Sequence, residues 1–138
     1  MKRLLITAVF LIGAPIAHAA PVTVTIYKSP DCACCDGWVR HVRDAGFVTN
    51  VVDTNALQSV KDRLGVPTGA RSCHTAVVSG TNQVIEGHVP ASAIKKLVTQ
   101  REVQGVAAPG MPVNSPGMGE TDGKLVTVDF SGKWFSQD

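Results

Sequence analysis

The sequence predicts an α/β domain in which helices cover both faces of a central mixed sheet. Two observations support this prediction. Short runs of β-branched residues alternate along the chain with segments whose apolar residues recur at helical spacing. Glycine or proline stands between most of these segments, which gives each element a defined end. The chain of 138 residues has room for one such domain, and we find no internal repeat in it.

Each element is predicted from its own residue pattern. Alternating valine and threonine predict the first strand, and Ser29-Pro30-Asp31 ends it. Gly46 and Gly65 are typical helix ends, and Pro67 prevents the second helix from continuing. In chain order the predicted elements are a strand over 22–29, a helix over 34–46, a strand over 47–53, a helix over 56–64, strands over 74–79 and 83–88, and a helix over 90–100. This order is that of a thioredoxin-like domain.

The C-terminal part of the chain has a different composition. Residues 105–123 are rich in proline, glycine and methionine and cannot hold a regular element for long. A terminal strand is predicted over 125–130, and we expect Trp134 and Phe135 to pack against the domain. The predicted units are therefore a thioredoxin-like domain over 21–104 and a C-terminal extension over 105–138 that packs on it.

The first twenty residues predict a secretory signal peptide. Lys2 and Arg3 form a basic start, residues 4–16 are apolar, and Ala17-His18-Ala19 offers small residues where a signal peptidase needs them. The apolar run is too short to span a bilayer comfortably. We therefore expect residues 1–20 to be removed after Ala19 or Ala20, with no membrane anchor left on the exported chain.

The charge of the chain argues against nucleic-acid binding. The formal net charge is +2, and the loss of Lys2 and Arg3 leaves eleven basic residues against eleven acidic ones. A nearly neutral chain without a basic patch has little to attract a phosphate backbone. We expect no nucleic-acid partner.

Three cysteines lie within four positions, Cys32, Cys34 and Cys35, and the fourth is Cys73. In an exported protein four cysteines ordinarily form two disulfides, which is one interpretation. Neighbouring cysteines enclose almost no chain, however, so a disulfide there stabilises the fold little. The other interpretations are thiol redox chemistry and a soft metal site for Cu(I) or Zn(II), which thiolates bind well.

The predicted helix start distinguishes the three clustered sulfur atoms. Cys32 is expected in the loop before the helix, and Cys34 and Cys35 in its first turn, where the helix dipole favours thiolate. Cys35 lies on the apolar face and should be the most buried of the three. Cys32 and Cys35 also have the C-x-x-C spacing of a redox pair and are the catalytic candidates. Because a dithiol exchanger needs no third sulfur, Cys34 indicates a function beyond simple exchange, and the spacing alone does not choose between metal binding and redox chemistry.

Cys73 and two histidines are further candidate ligands. In a thioredoxin-like sheet the segment that enters the third strand lies beside the start of the first helix, so Cys73 can supply a fourth sulfur. A hairpin turn at residues 80–82 would set His74 opposite His88, where two imidazoles can bind one metal ion. Either histidine can instead be an ordinary surface or hydrogen-bonded residue. Strand alternation would also send Cys73 and His74 to opposite faces unless the strand entry is irregular.

His41, Met111 and Met118 are weaker candidates. His41 lies roughly 10 Å along the helix from Cys34, too far to share one metal ion with it. Met111 and Met118 can act as thioether ligands for Cu(I), although methionine in a folded-back tail more often packs against the domain.

Five ordered motifs carry a family resemblance over nearly all of the mature chain. They are Tyr27-Lys28-Ser29-Pro30-Asp31-Cys32-Ala33-Cys34-Cys35, Gly65-Val66-Pro67, Ser72-Cys73-His74-Thr75-Ala76, Glu86-Gly87-His88-Val89-Pro90, and Pro109-Gly110-Met111-Pro112 with Ser115-Pro116-Gly117-Met118. With them the chain resembles the exported, thioredoxin-like CopG copper-resistance family, formerly a family of unknown function. That family usually has glycine where this chain has Ala33, a difference that removes no ligand.

The resemblance implies a periplasmic copper-binding protein of Gram-negative bacteria. It implies that Cys32, Cys34, Cys35 and Cys73 hold copper and couple it to thiol redox change. His74 and His88 match family motifs without a definite ligand role. The implied partners are copper ions, with other periplasmic copper-handling proteins or an electron donor.

Three hypotheses follow for the function. The first is copper resistance: the protein binds Cu(I) through the four cysteines and acts as a copper oxidoreductase, either between Cu(I) and Cu(II) or by coupling copper to disulfide formation. The second is a thiol–disulfide oxidoreductase in which Cys32 attacks, Cys35 resolves and metal is incidental. The third is a non-enzymatic domain held by structural zinc or by two disulfides, which predicts that metal removal or reduction unfolds it.

Overall fold

Seven strands and three α-helices make up the part of the chain that the computed structural model describes, residues 20–138. In order they are β1 (Thr23–Lys28), α1 (Ala33–Asp44), β2 (Val48–Asp53), α2 (Leu57–Arg63), a 3₁₀ turn (Thr68–Ala70), β3 (His74–Val78), β4 (Val84–Glu86), α3 (Ala91–Thr99), β5 (Gly105–Ala107), β6 (Val126–Asp129) and β7 (Trp134–Gln137). The mixed α/β class and the predicted order of the first seven elements are confirmed. The predicted signal peptide lies outside the described residues except for Ala20.

All seven strands form one mixed sheet in the order β2-β1-β3-β4-β5-β6-β7. β1 is parallel to β2 and antiparallel to β3, so Lys28 at the end of β1 lies opposite His74 at the start of β3. β4 ends at Glu86, which pairs with Thr75 on one side and with Ala107 at the end of β5 on the other. Four segments therefore meet at one end of these strands: the loop before α1, the residues before β3, the residues after β4 and the residues after β5.

Helices lie on both faces of this sheet, as predicted. α1 and α3 share a buried cluster with β1, β3 and β4 that includes Trp38, Ala76 and Leu97. α2 packs on the opposite face, because Lys61 reaches Thr75, and Thr75 and its neighbour Ala76 point to opposite sides of β3. Within residues 20–138, no helix is both long enough and apolar enough to cross a membrane.

The connection between β3 and β4 is one residue longer than predicted. Its connection has four residues, 79–82, because the N–H of Val78 donates to the carbonyl of Gln83, and Asn82 takes a left-handed φ of 59°. Val77 consequently pairs with Val84, and the same register sets Cys73, not His74, at the level of His88. The predicted alignment of the two histidines is wrong.

The C-terminal extension contributes more strands than predicted. β5 was missed because three residues are too few to show an alternating pattern, and β7 follows β6 through a short turn. Phe135 is buried as expected, but the prediction for Trp134 is wrong, since its side chain is 64% exposed. Consecutive strand residues point to opposite sides, so burial of Phe135 turns Trp134 outward. There Lys96 Nζ lies 5.1 Å from the centre of its ring.

Candidate metal centre

The clustered cysteines lie at the N-terminus of α1. Cys32 occupies the N-cap position, and Cys34 and Cys35 belong to the first turn. Cys35 is fully buried on the face that also carries Trp38, whereas Cys32 and Cys34 are half-buried. Cys32 and Cys35 form a disulfide, and Cys34 and Cys73 are free. The Sγ atom of Cys34 lies 3.5 Å from that of Cys32, so a free thiol stands directly beside the disulfide.

Lys28 holds the loop that leads into this cysteine cluster. Its ammonium donates to the carbonyls of Ser29 and Pro30 and forms ion pairs with Asp36 and Asp53, each at 3.1 Å. Burial lowers the pKa of Lys28, but the hydrogen bonds to Asp53 and Asp36 outweigh this effect and raise it. The charged lysine therefore ties the end of β1 to the first turn of α1.

Cys73 and His88 form the second half of the site. Cys73 Sγ lies 3.0 Å from His88 Nε2, and His88 Nδ1 lies 2.7 Å from the carbonyl oxygen of Pro116. Because a carbonyl oxygen only accepts, Nδ1 carries the proton and Nε2 presents its lone pair to Cys73. The hydrogen bond from the far ring nitrogen to a carbonyl is the arrangement that orients metal-binding histidines in proteins.

The protonation of this pair follows from its burial. Burial raises the pKa of Cys73 to about 11. Burial also lowers the pKa of His88, and its contact with Pro116 opposes the shift less strongly. At neutral pH the thiol of Cys73 therefore donates its proton to a neutral imidazole. A metal ion that displaced this proton would meet a sulfur and a nitrogen ligand already facing each other.

His74 is buried between Trp38 and His88. Its ring centre lies 4.3 Å from that of Trp38 and 5.0 Å from that of His88, and its Nδ1 is 3.4 Å from Cys73 Sγ. Burial lowers its pKa well below the ordinary value, and repulsion from His88 in its protonated form and from the Lys61 ammonium lowers it further. Among the described residues, no group hydrogen-bonds the buried Nε2 of His74. Strand alternation does not separate His74 from Cys73, because Cys73 precedes the regular part of β3.

The structure brings six predicted residues into two overlapping sets. In each set the potential ligand atoms all lie within 4.8 Å of one another. One set has four sulfur atoms, and the other has two sulfur and two nitrogen atoms. The sets are Cys32, Cys34, Cys35 and Cys73, and Cys35, Cys73, His74 and His88. Thiolate and imidazole suit soft or borderline ions such as Cu(I) and Zn(II), so this cluster is able to hold a metal ion.

The C-terminal extension closes one side of the cluster. A Cβ atom on Gly117 would lie 2.5 Å from the backbone nitrogen of Trp38 and 2.8 Å from the carbonyl oxygen of Cys34, so only glycine fits against α1 there. The preceding residue, Pro116, supplies the carbonyl that holds His88. Earlier in the extension, the hydroxyl of Ser72 donates to the carbonyl of Gly110.

The three weaker candidates have different surroundings. Met111 is exposed and lines a cavity with Cys73, whereas Met118 is half-buried and follows Gly117. His41 has another role, since its Nε2 accepts a hydrogen bond from the backbone N–H of Ala91 at 3.0 Å.

Two contacts of the histidines were not predicted from the sequence. One is the hydrogen bond between His88 and the carbonyl of Pro116, and the other is the contact between the rings of His74 and Trp38. A backbone carbonyl leaves no signal in the sequence, and the helical spacing of Trp38 indicates only that its ring faces the core. The glycine after Pro116 was the one available sign that the extension approaches another element closely.

Fold and cluster together define a mixed α/β protein with a cysteine–histidine cluster that is able to hold a metal ion. Residues 70–118 match the family described as protein of unknown function, DUF411. Two solved structures, copper resistance protein CopG in form 1 and in form 2, are each 36% identical to the chain with a TM-score of 0.75. Each match covers 86% of this chain and 98% or 99% of the other. No curated protein matches the chain.

The chain therefore belongs to the CopG copper-resistance family, as its five motifs predicted.

Proposed function

We propose that this protein binds copper in the periplasm as part of copper resistance and acts as a copper oxidoreductase. Four cysteine sulfur atoms and two imidazoles, arranged in overlapping sets within 4.8 Å, carry this proposal. Membership in a copper-resistance family supports copper as the ion. On this proposal the exported chain keeps residues 21–104 as the copper-binding domain and residues 105–138 as an extension that closes the site.

The donor set favours Cu(I) in the reduced protein. Soft thiolate sulfur is the preferred ligand of Cu(I), and up to four such ligands are available when Cys32 and Cys35 are reduced. Because the pKa of Cys73 is raised to about 11, this thiol releases a proton when copper binds. The affinity for Cu(I) should therefore increase with pH across the neutral range.

The Cys32–Cys35 disulfide supports a redox role. In the proposed reaction, the dithiol of Cys32 and Cys35 reduces two Cu(II) ions to two Cu(I) ions. The S–S bond forms, and two protons leave to solvent. The oxidised protein loses two thiolate ligands and retains Cys34, Cys73, His74 and His88 as donors. Two electrons from a periplasmic thiol or electron-transfer protein, with two protons from solvent, then restore the dithiol.

A competition titration tests the binding part of this proposal. Reduced protein is titrated with Cu(I) against a Cu(I)-specific chelator, in parallel with the double variant Cys34→Ser/Cys73→Ser. We expect the variant to bind at least about 100-fold more weakly, since even partners of metal ligands change affinity 10- to 100-fold. Equal affinities would rule out the four-cysteine site. Metal analysis of protein from copper-fed periplasm, with a thiol count, separates copper from zinc.

The disulfide also favours a second candidate function, thiol–disulfide exchange without copper. In this case Cys32 attacks a substrate disulfide and Cys35 resolves the mixed disulfide. An insulin-reduction assay separates the two functions. Exchange requires turnover that survives Cys34→Ser and does not change with copper, whereas the copper function predicts little turnover.

A further inference from the structure

A fully buried ion pair lies on the face of the sheet opposite Trp38. Lys61 of α2 and Glu86 of β4 are 0% exposed, and Lys61 Nζ lies 2.6 Å from Glu86 Oε1. Thr75 of β3 connects them, because its hydroxyl accepts from Lys61 at 2.8 Å and donates to Glu86 Oε2 at 2.6 Å. The side chains of three elements are therefore joined directly behind the metal cluster.

Stability alone does not explain such a pair. Moving two charges out of water costs several kcal/mol per ion, and apolar replacements of buried pairs are often neutral or stabilising. The Lys61–Glu86 pair is therefore expected to have a further role. The remaining contact of the carboxylate indicates what this role is.

Glu86 holds the backbone immediately before Cys73. The N–H of Ser72 donates to Glu86 Oε1 at 2.6 Å. β3 begins only at His74, so the regular ladder of β3 does not fix Ser72. The next residue of β4 contributes as well, because a Cβ atom on Gly87 would lie 2.6 Å from Ser72 Cβ. The hydroxyl of Ser72 is held on its other side by the carbonyl of Gly110.

The short segment Glu86-Gly87-His88 thus combines three functions. Glu86 fixes Ser72, Gly87 leaves room for it, and His88 faces the thiol of Cys73 at 3.0 Å. We propose that Glu86, oriented by Lys61 and Thr75, is a positioning residue that holds Cys73 against His88 for metal binding. This inference rests on the proposed copper function, and it also predicts behaviour of the copper-free protein.

The test compares two variants that each remove both charges. Lys61→Met/Glu86→Leu removes the acceptor for Ser72 N–H, whereas Lys61→Met/Glu86→Gln retains a carbonyl oxygen there. In the reduced, copper-free protein, alkylation of each cysteine by iodoacetamide is followed by mass spectrometry. We expect Cys73 to react about 10-fold faster in the leucine variant, with Cys34 changing less than about 2-fold. The glutamine variant should stay close to wild type.

Cu(I) affinity provides the second readout. The leucine variant should bind about 10- to 100-fold more weakly than wild type, the range found for partners of metal ligands, and the glutamine variant should recover most of this loss. Equal loss in both variants, or equal acceleration at Cys34 and Cys73, would indicate a merely structural pair and overturn the proposal. Wild-type alkylation rates and wild-type Cu(I) affinity in a leucine variant that folds would also overturn the proposal.

A third variant covers the case in which the leucine variant does not fold. Glu86→Asp keeps the charge opposite Lys61 but shortens the side chain by one methylene, so that it no longer reaches Ser72. Selective acceleration at Cys73 supports the proposal, and an unchanged rate overturns it. If wild-type protein does not bind Cu(I) at all, the proposed function fails, while the alkylation rates still decide whether Glu86 positions Cys73.

Discussion

The two halves of the candidate metal centre are held in different ways. The α1 half carries Cys32, Cys34 and Cys35 and is tied down by Lys28, whose partners Asp36 and Asp53 are more than half exposed. The sheet half carries Cys73, His74 and His88 and is supported by an ion pair that is completely buried. The half that contains the disulfide is thus held by solvent-exposed carboxylates, whereas the half with Cys73 and the histidines is held by a buried ion pair.

This difference suggests that the two halves of the site have different roles. Exposed ion pairs contribute about 0–1 kcal/mol and tolerate rearrangement. Breaking a buried pair leaves an uncompensated charge and costs about 3–5 kcal/mol. On the proposed copper function, we expect the sheet half to retain the copper ion while the α1 half gains or loses sulfur ligands with its redox state.

The largest expected effect is the difference in stability between removing the buried ion pair and removing the exposed one. Lys61→Met leaves Glu86 buried and unpaired, so the free energy of unfolding should fall by about 3–5 kcal/mol. Asp36→Asn removes only an exposed partner of Lys28 and should cost less than about 1 kcal/mol. Urea unfolding of the copper-free protein measures both. Similar losses would mean that the two halves are not held differently.

The ligands of the two halves should respond differently to oxidation. Cys73→Ser should weaken Cu(I) binding about 100-fold or more in both the reduced and the oxidised protein, because Cys73 is free in either state. Cys32→Ser/Cys35→Ser should weaken it only relative to the reduced wild type, since those sulfurs are already bonded to each other after oxidation. Chelator competition in both redox states measures this. An equal loss of Cu(I) affinity in both redox states of Cys32→Ser/Cys35→Ser would contradict different roles for the two halves.

Gly117 tests how the extension is attached to the α1 half. Gly117→Ala places a methyl group 2.5 Å from the nitrogen of Trp38 at a φ of +86°, so we expect a loss of about 2–3 kcal/mol. Gly123→Ala is the matched control, because Gly123 also has positive φ but nothing lies within 4 Å of its added Cβ. The control should lose about 1 kcal/mol. Thermal unfolding measures the difference, and equal losses would show that the close approach to α1 is unimportant.

Acid should destabilise the sheet half of the copper-free protein. Burial lowers the pKa of His74 and of His88 below the ordinary value of 6.5. The unfolded chain therefore binds more protons than the folded one below pH 6.5, and stability falls as pH decreases. Between pH 7 and pH 5 we expect a loss of stability to which His74 contributes most, because its pKa is lowered furthest below the ordinary value. Urea unfolding at the two pH values measures it, and a loss of the same size in His74→Phe would contradict the assignment to His74.

The sequence predicted the elements well because periodicity is a local property. All seven predicted elements of the first domain agree with the structure to within two residues at each end. Cys32, Cys34 and Cys35 lie where the helical spacing put them. The spacing of Cys32 and Cys35, however, does not predict their redox state, because C-x-x-C occurs both as a disulfide and as a pair of metal ligands.

Features that depend on contacts between distant segments were harder to predict. One additional residue in the connection 79–82 shifted the hairpin, and the partner of His88 changed from His74 to Cys73. The buried pair of Lys61 and Glu86 escaped notice because hydropathy patterns assign charged residues to the surface. Both follow from how strands and helices dock rather than from any local pattern.

The reaction of reduced protein with Cu(II) tests the central claim most directly. Copper-free protein with four thiols is mixed without oxygen with two equivalents of Cu(II), and Cu(I) is counted with a specific chelator while disulfides are mapped by mass spectrometry. We predict two Cu(I) ions for each Cys32–Cys35 disulfide, formed at least about 10-fold faster than in Cys32→Ser/Cys35→Ser. Cu(II) left unreduced, or a disulfide that joins Cys34 to Cys73, would contradict this account.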